Sequence, residues 1–238
     1  MAQVYEFIVS AGEVFDGLSA GNGQPNQTIY VLPGGEITNT VVFDGGWDLL
    51  SANTVAIGTT VMAGATEYVY GAVSSDAQLL GGQQQVAAGG VTIGTHIVGG
   101  EELVGYSGQA IDTTIATGVQ GVLGSGFATG TVIDSGGAEE TATGGTTIGV
   151  TVNAGAIEMV ETGGVASGVT VLSGGILQID GGAASAYTIA SGATLILGTG
   201  VEPFYFFDAG IGGGISGPPY IPPTVSGFHG QFRRDGRR

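Results

Sequence analysis

The stretch "SGVTVLSGGILQIDGG", Ser167–Gly182, contains the pattern that decides the fold. Apolar residues alternate with small polar ones, two glycines interrupt the run, and the pattern then starts again. Such alternation is typical of a strand with one buried face, and paired glycines are typical of turns. The segment therefore predicts short strands joined by tight turns.

Glycines recur from residue 34 to residue 192 with a period of 18 or 19 residues. The first series comprises Gly45, Gly64, Gly82, Gly100, Gly118, Gly136, Gly155, Gly174 and Gly192. The second series comprises Gly34, Asn53, Gly71, Gly89, Gly108, Gly126, Gly144, Gly163 and Gly181. Asn tolerates left-handed backbone better than most residues, so Asn53 fits the series. Each repeat therefore predicts two turns.

The side chains before these turns follow the same period. Three residues before each first-series glycine stand Val42, Val61, Leu79, Ile97, Ile115, Ile133, Val152, Val171 and Ile189. The matching column before the second series is looser and includes Tyr68, Gly105, Leu123 and Gln178. A single coil cannot bury such a column, but stacked coils can. We therefore predict an all-β, single-stranded parallel β-solenoid (β-helix) of about nine coils, with two Gly turns per coil.

The repeat suggests three regions. Residues 1–33 repeat loosely and predict an N-terminal cap with an imperfect coil, residues 34–200 form the solenoid, and the repeat stops in residues 201–238. This last segment is rich in Pro and aromatic residues and ends in a basic tail. It either caps its own rod or serves as an assembly arm that docks on a neighbouring copy. Its candidate subunit contacts are Phe204, Tyr205, Phe206, Phe207, Arg233, Arg234, Arg237 and Arg238.

The charge distribution excludes several classes of function. The chain of 238 residues has 4 Lys or Arg residues, all of them Arg and all within the last six positions. Of its 20 acidic residues, all except Asp235 precede these arginines. The body therefore cannot replace the counterions of a nucleic acid. The absence of Cys excludes disulfide and thiol chemistry. No apolar run is long enough for a transmembrane helix, and the N-terminus does not resemble an ordinary signal peptide.

The units "IGTTVMAGATEYV", "TGTVIDSGGAEETATGG" and "IGVTVNAGAIEMVETGGVA" resemble the strand-loop-strand repeats of autotransporter passengers, as found in diffuse-adherence adhesins. The likeness covers roughly residues 30–200. It implies an extracellular β-solenoid and, as in some members, O-heptosylation of Ser and Thr in the repeats. We accordingly expect an extracellular or cell-surface protein that leaves the cell without a recognisable N-terminal signal peptide.

One column of hydroxyl residues is the candidate modification site. The position four before each first-series glycine includes Thr60, Thr114, Thr151, Thr170 and Thr188, which we expect to point outward and stack. They are either ordinary exposed strand residues or glycosylation acceptors. A third alternative is an ice-binding array, which usually needs a second, parallel column (a second rank) of Thr. Thr59 and Thr113 would belong to that column, but Val150 and Val169 interrupt it.

The acids cluster after the first-series turns, at Asp48, Glu67, Glu101, Glu102, Glu139, Glu140, Glu158 and Glu161. We expect them to form a solvated, solubilising face. The alternative is calcium binding, for which the weak candidates are Glu101, Glu102, Glu139 and Glu140. No EF-hand loop or nonapeptide calcium repeat is present.

The sequence offers no recognisable catalytic pattern. The two histidines, His96 and His229, lie in unrelated contexts, and polysaccharide-lyase chemistry would need Arg or Lys in the body. We predict a non-enzymatic structural rod that self-associates head-to-tail into fibres or matrix. We expect no cofactor other than the calcium ions considered above. The alternative is an adhesin-type module that binds host or matrix glycans.

Overall fold

The computed structural model describes residues 6–21 and 27–198, together with two short strands at 214–216 and 232–233. These residues form parallel strands that wind into a β-solenoid of about ten turns, so the predicted fold is confirmed. In the described ranges no helix is long and apolar enough to cross a membrane.

The strands are short and follow one another closely along the chain. The first fourteen are β1 (Glu6–Val9), β2 (Val14–Asp16), β3 (Ser19–Ala20), β4 (Thr28–Val31), β5 (Glu36–Thr38), β6 (Val41–Val42), β7 (Trp47–Leu50), β8 (Val55–Ile57), β9 (Thr60–Met62), β10 (Thr66–Tyr70), β11 (Val73–Ser75), β12 (Gln78–Leu80), β13 (Gln83–Ala87) and β14 (Val91–Ile93). The next nine are β15 (His96–Val104), β16 (Gln109–Ile111), β17 (Thr114–Val122), β18 (Phe127–Thr129), β19 (Val132–Ile133), β20 (Gly137–Thr141), β21 (Thr146–Ile148), β22 (Thr151–Val152) and β23 (Ile157–Glu161). The last eight are β24 (Val165–Ser167), β25 (Thr170–Val171), β26 (Ile176–Asp180), β27 (Ala183–Ser185), β28 (Thr188–Ile189), β29 (Thr194–Leu197), β30 (Gly214–Ser216) and β31 (Phe232–Arg233).

Each coil has three strands, which lie on three faces of the rod. The first face is the ten-stranded sheet that contains β5 and β8. The second face contains β6 and β9, and the third face contains β7 and β10; they belong to one 21-stranded sheet because β15 and β17 run through the corner between them. Every strand pairs with its counterpart one coil away, as in Trp47 opposite Thr66.

Each coil turns at three corners and not at the two that the glycine series predict, because glycine occupies only five of the nine positions at the third corner. Its residues have positive φ and are Asn39, Gly58, Asp76, Gly94, Asp112, Gly130, Gly149, Gly168 and Ala186. Asn and Asp enter the left-handed region more readily than other residues with a Cβ. The third reversal is therefore encoded partly by Asn and Asp, which a search for glycine periods overlooks.

Unequal corner lengths also shift the looser of the two predicted columns. Tyr68 and Gln178 point outward, and their neighbours Val69 and Ile179 are buried instead. The first predicted column is buried in all nine coils, from Val42 to Ile189. Stacking of these aliphatic side chains, with adjacent strands about 4.8 Å apart, gives the rod a continuous apolar core.

Strands at both ends continue the stacking. Near the N-terminus, β1 pairs in register with β4, and β2 pairs with β5, so the imperfect coil follows the geometry of the repeat. Beyond the last repeat, β30 pairs with β29, and β31 pairs with β30. This pairing is what a cap on its own rod requires, but the choice between cap and assembly arm stays a prediction.

Candidate functional site

A column of polar side chains runs through the interior of the rod. We call it the inner polar column, and it comprises Asp48, Glu67, Gln84, Glu102, Gln120, Glu139 and Glu158. All seven side chains are fully buried, and they stack in register on the third face from one coil to the next. The expectation that these acids form a solvated face was therefore wrong for five of them. Desolvation of a carboxylate is costly, so its partners decide whether it can be tolerated.

Alternation along each strand explains why neighbouring acids separate. In β15, Glu101 points outward and is half-buried, whereas Glu102 points into the core. In β20, Glu139 points inward and Glu140 outward. Successive residues of a strand face opposite sides. An acidic dipeptide in the sequence therefore places one carboxylate on the surface and one in the core.

The middle of the inner polar column alternates Glu with Gln. Gln84 donates a hydrogen bond from Nε2 to Glu67, and Gln120 donates from Nε2 to Oε2 of Glu102 at 2.6 Å. Each Gln thus supplies a donor to the acid of the preceding coil. A charged acceptor strengthens such hydrogen bonds, so the amides compensate part of the desolvation cost of the carboxylates.

Buried hydroxyls satisfy the remaining oxygens of these residues. Glu102 accepts hydrogen bonds from Thr92 at 2.7 Å and from Thr113 at 3.0 Å. Gln120 accepts one from Thr131 at 3.0 Å. Thr113 and Thr131 each precede a second-face strand, whereas Thr92 lies in the first-face strand β14. Coils thus supply each other's hydrogen-bond partners.

The alternation fails at both ends of the column. Glu158 follows Glu139 where a Gln would continue the pattern, and Asp48 precedes Glu67 at the other end. Glu158 Oε1 accepts a hydrogen bond from Thr141 at 3.1 Å, and Glu139 Oε1 accepts one from Thr131 at 3.1 Å. In the described part of the chain, Oε2 of both glutamates lacks a hydrogen-bond partner.

Burial and pairing raise the pKa of these end residues. Desolvation raises the pKa of Glu139 to about 7, opposed in part by the hydrogen bond from Thr131. Desolvation, followed by the charge of Glu139, raises the pKa of Glu158 well above its ordinary value. Ionising both of these stacked, buried carboxyls is costly, so the pair keeps a proton to a higher pH than an exposed glutamate does. Desolvation and the charge of Glu67 likewise raise the pKa of Asp48.

The four calcium candidates from the sequence do not come together. Glu102 and Glu139 face the interior with the coil of Gln120 between them, whereas Glu101 and Glu140 face outward. The two outward carboxylates line an open groove of about 610 Å³ on the third face. Among the described residues, no three His, Cys, Asp or Glu side chains are grouped to hold a metal ion.

The threonine column stacks as its period predicts. Thr151, Thr170 and Thr188 pair coil on coil on the second face, with side chains outside the core. Thr60 and Thr114 occupy the same column, separated by Gln78 and His96. By contrast, the proposed second rank points inward: Thr59 and Thr113 are buried, as are Val150 and Val169. The ice-binding alternative therefore lacks its second surface rank.

Sequence reasoning overlooked a second group of surface hydroxyls. The turns between the second and third faces expose Ser135, Ser173 and Ser191, and other turns expose Thr143 and Thr162. Their signal in the sequence is the position just before a turn glycine. Phe204, Tyr205, Phe206, Phe207, Arg234, Arg237 and Arg238 lie outside the described residues. Arg233 belongs to β31, for which only the backbone pairing is described.

Comparison with known proteins gives independent support for the fold. No protein-family model matches the chain, and no curated protein sequence matches it. Among solved structures, it is similar to the crystal structure of a TibC-catalysed, hyper-glycosylated TibA fragment that spans residues 55–350 of TibA. The TM-score is 0.58 at 25% identity, and the alignment covers 82% of this chain and 92% of that chain. The chain is an autotransporter-passenger-like β-solenoid.

Proposed function

We propose that the protein is a non-enzymatic rod of the adhesin-passenger type that acts outside the cell or at its surface and carries O-linked sugars. The observation that carries the proposal is the outward threonine column, in which Thr151, Thr170 and Thr188 lie in register in successive coils. A rigid backbone presents these hydroxyls about 4.8 Å apart along one line. The similar TibA fragment is hyper-glycosylated.

The acidic outer surface favours a role in contact with other molecules. Glu101, Glu140 and Gln83 lie on one outer face, and Trp47 is nearly half exposed there. Carboxylates and amides supply hydrogen-bond partners for sugar hydroxyls, and exposed aromatic rings supply apolar contact. Glycans of a host or matrix are therefore the ligand class that we assign to this face.

Glycosylation can be tested with adjacent threonines that face opposite ways. Protein isolated from the cells that naturally make it, and protein co-expressed with TibC, should both show an intact mass raised by whole sugar units. Peptide mapping should place sugars on the outward Thr60 and Thr114. The inward neighbours Thr59 and Thr113 should be unmodified because their hydroxyls are buried.

Variants separate this result from non-specific modification. Thr114→Val should lower the number of attached sugars, whereas the matched control Thr113→Val should leave it unchanged. An unmodified mass in both protein samples would refute glycosylation. Sugars found equally on inward and outward threonines would show that modification precedes folding and does not depend on the column.

Head-to-tail association is the second candidate function, and the first coil carries the observation that favours it. Phe7, Ile8 and Val14 are exposed by 39%, 53% and 62% of their surface. They lie on β1 and β2, whose outer edges have no strand partner among the described residues. Unpaired edges with apolar side chains favour strand addition by another chain.

Negative-stain microscopy of the full-length protein at low ionic strength tests this association. We expect filaments with an axial repeat close to one rod, roughly 60 Å for thirteen stacked third-face strands. Ile8→Lys should shorten the filaments because it places a charge at the contact. Ile93→Lys, which adds the same charge to the exposed middle of the rod, should not. Isolated rods under all conditions would contradict the proposal.

A further inference from the structure

Asp48 is the least satisfied residue of the inner polar column. It is fully buried, and neither Oδ1 nor Oδ2 has a hydrogen-bond partner in the described part of the chain. The hydroxyls of Thr40 and Thr59 are also buried, and each lacks a hydrogen-bond partner there as well. The described residues contain six buried side-chain oxygens without a hydrogen-bond partner. Four of them belong to Asp48, Thr40 and Thr59, which lie in two adjacent coils. Buried polar atoms rarely stay unpaired, so this concentration points to a ligand.

The geometry of the repeat places these oxygens around one point. In the middle of the rod, Gln120 contacts Thr113 of its own coil and Thr131 of the next. The corresponding threonines for Asp48 are Thr40 and Thr59. An Asp side chain is one methylene shorter than Glu or Gln. Asp48 therefore falls short of both hydroxyls, which still face its carboxylate from either side.

The next coil adds a second carboxylate. Glu67 stacks directly on Asp48 and is also fully buried. It accepts hydrogen bonds from Ser74 at 3.2 Å and from Gln84, but the structure shows none between Glu67 and Asp48. Among the described residues, Glu139 and Glu158 each keep one oxygen without a partner, whereas Asp48 has no partner at either oxygen. With no Lys or Arg before residue 233, the protein offers no internal cation for these two acids.

We propose that one Ca²⁺ ion binds inside the rod between Asp48, Glu67, Thr40 and Thr59. All four side chains offer oxygen, the ligand atom that Ca²⁺ prefers, and the ion accepts irregular coordination. Its double positive charge matches the two carboxylates when both are ionised. Water could bridge the same atoms but brings no positive charge to them.

The ion serves as an internal support near the N-terminal end of the solenoid. It joins two successive coils through Asp48 and Glu67. Asp48 is the first residue of the inner polar column, and the buried residue stacked on it in the preceding coil is the apolar Ile29. Because the surrounding core is closed, the ion enters during folding and exchanges slowly afterwards. This site differs from the calcium candidates at Glu101 and Glu140, which lie on the outer surface.

The proposal is tested by refolding the full-length protein in CaCl₂, removing free metal by gel filtration and measuring bound calcium by elemental analysis. We expect one Ca²⁺ per chain and a Tm about 5–10 °C higher than after refolding with EDTA, at Ca²⁺ near 100 times its Kd. Refolding with Tb³⁺ should give luminescence sensitised by Trp47, the single tryptophan, which adjoins Asp48 in β7.

Two variants and one control decide the location. Asp48→Asn should abolish the tightly held Ca²⁺ and the Tm difference. Thr59→Val, a nearly isosteric change that should fold in any case, should weaken Ca²⁺ binding at least tenfold. Glu102→Gln changes a buried carboxylate that has its full set of partners and should keep one Ca²⁺ per chain. Wild-type protein without bound Ca²⁺, or unchanged binding in the Thr59→Val variant, would overturn the proposal.

Discussion

Replacing Glu158 with Gln is expected to raise the free energy of unfolding at pH 8, where the wild-type pair must ionise in the core, and to raise it less at pH 4. The Gln side chain would donate to Glu139 through an amide, as Gln84 and Gln120 do to the acids before them. Glu139 could then be ionised beside a neutral amide. The change extends the Glu–Gln alternation by one coil and keeps the shape of the side chain.

The pH dependence gives this prediction its sign. The pKa of Glu139 is about 7 in the folded protein, above the ordinary value of 4.5, because of burial. The stabilising effect of its proton is complete below pH 4.5, where folded and unfolded chains are both protonated. It is lost progressively as pH rises from 4.5 to 7, because only the unfolded chain releases the proton there. The wild-type rod should therefore be most stable at acidic pH.

Urea denaturation followed by circular dichroism at pH 4 and pH 8 measures the effect. Glu158→Gln should be close to wild type at pH 4 and clearly more stable at pH 8. Glu161→Gln makes the same chemical change at an exposed position of the same strand and serves as the control. Equal effects of Glu158→Gln at both pH values would contradict raised pKa values for the buried Glu139 and Glu158.

Replacing Gly90 with Ala is expected to cost about 3 kcal/mol or more, or to prevent folding. A Cβ at Gly90 would overlap the carbonyl oxygen of Val69 in the preceding coil. This obstacle is backbone and belongs to the hydrogen-bonded ladder, so it cannot rotate away. The two coils would have to separate, and every strand pair at that level would lengthen.

The adjacent Gly89 provides a matched control. It has φ of +80°, but a Cβ there would meet no atom within 4 Å. Gly89→Ala therefore adds only the backbone strain of a left-handed conformation, about 1–2 kcal/mol. Thermal unfolding of both variants should place Gly89→Ala between wild type and Gly90→Ala. A Gly90→Ala variant as stable as Gly89→Ala would show that the coils can shift apart at little cost.

Some features of the fold follow from sequence patterns alone. The glycine period and the aliphatic column from Val42 to Ile189 depend on spacing within one coil, which the chain displays directly. The outward direction of Thr170 also follows, because its neighbour Val171 belongs to that column. The third corner was accessible in principle, since Asn39, Asp76 and Asp112 alternate with Gly58 and Gly94 at the same period, but the mixture of residue types is less distinctive than Gly alone.

The inner polar column shows the limit of such reasoning. Polarity predicts exposure for Glu102, and the sequence around it contains no cation that could neutralise it. Its partners Thr92, Thr113 and Gln120 lie 10, 11 and 18 residues away along the chain. Only the coil geometry brings these side chains together. Strict alternation from Val104, a core residue, would have indicated the inward direction of Glu102.

The sequence by itself determined the parallel β-solenoid, because its repeated turns and alternating apolar residues leave no other way to bury the inner faces. Tertiary structure alone decided which acids are solvated and which are enclosed. The burial of a carboxylate depends on donors from the neighbouring coils. Stacking supplies them to Glu67 and Glu102, only in part to Glu158, and, among the described residues, not to Asp48. That difference arises from contacts one full coil apart, which no local pattern of residues records.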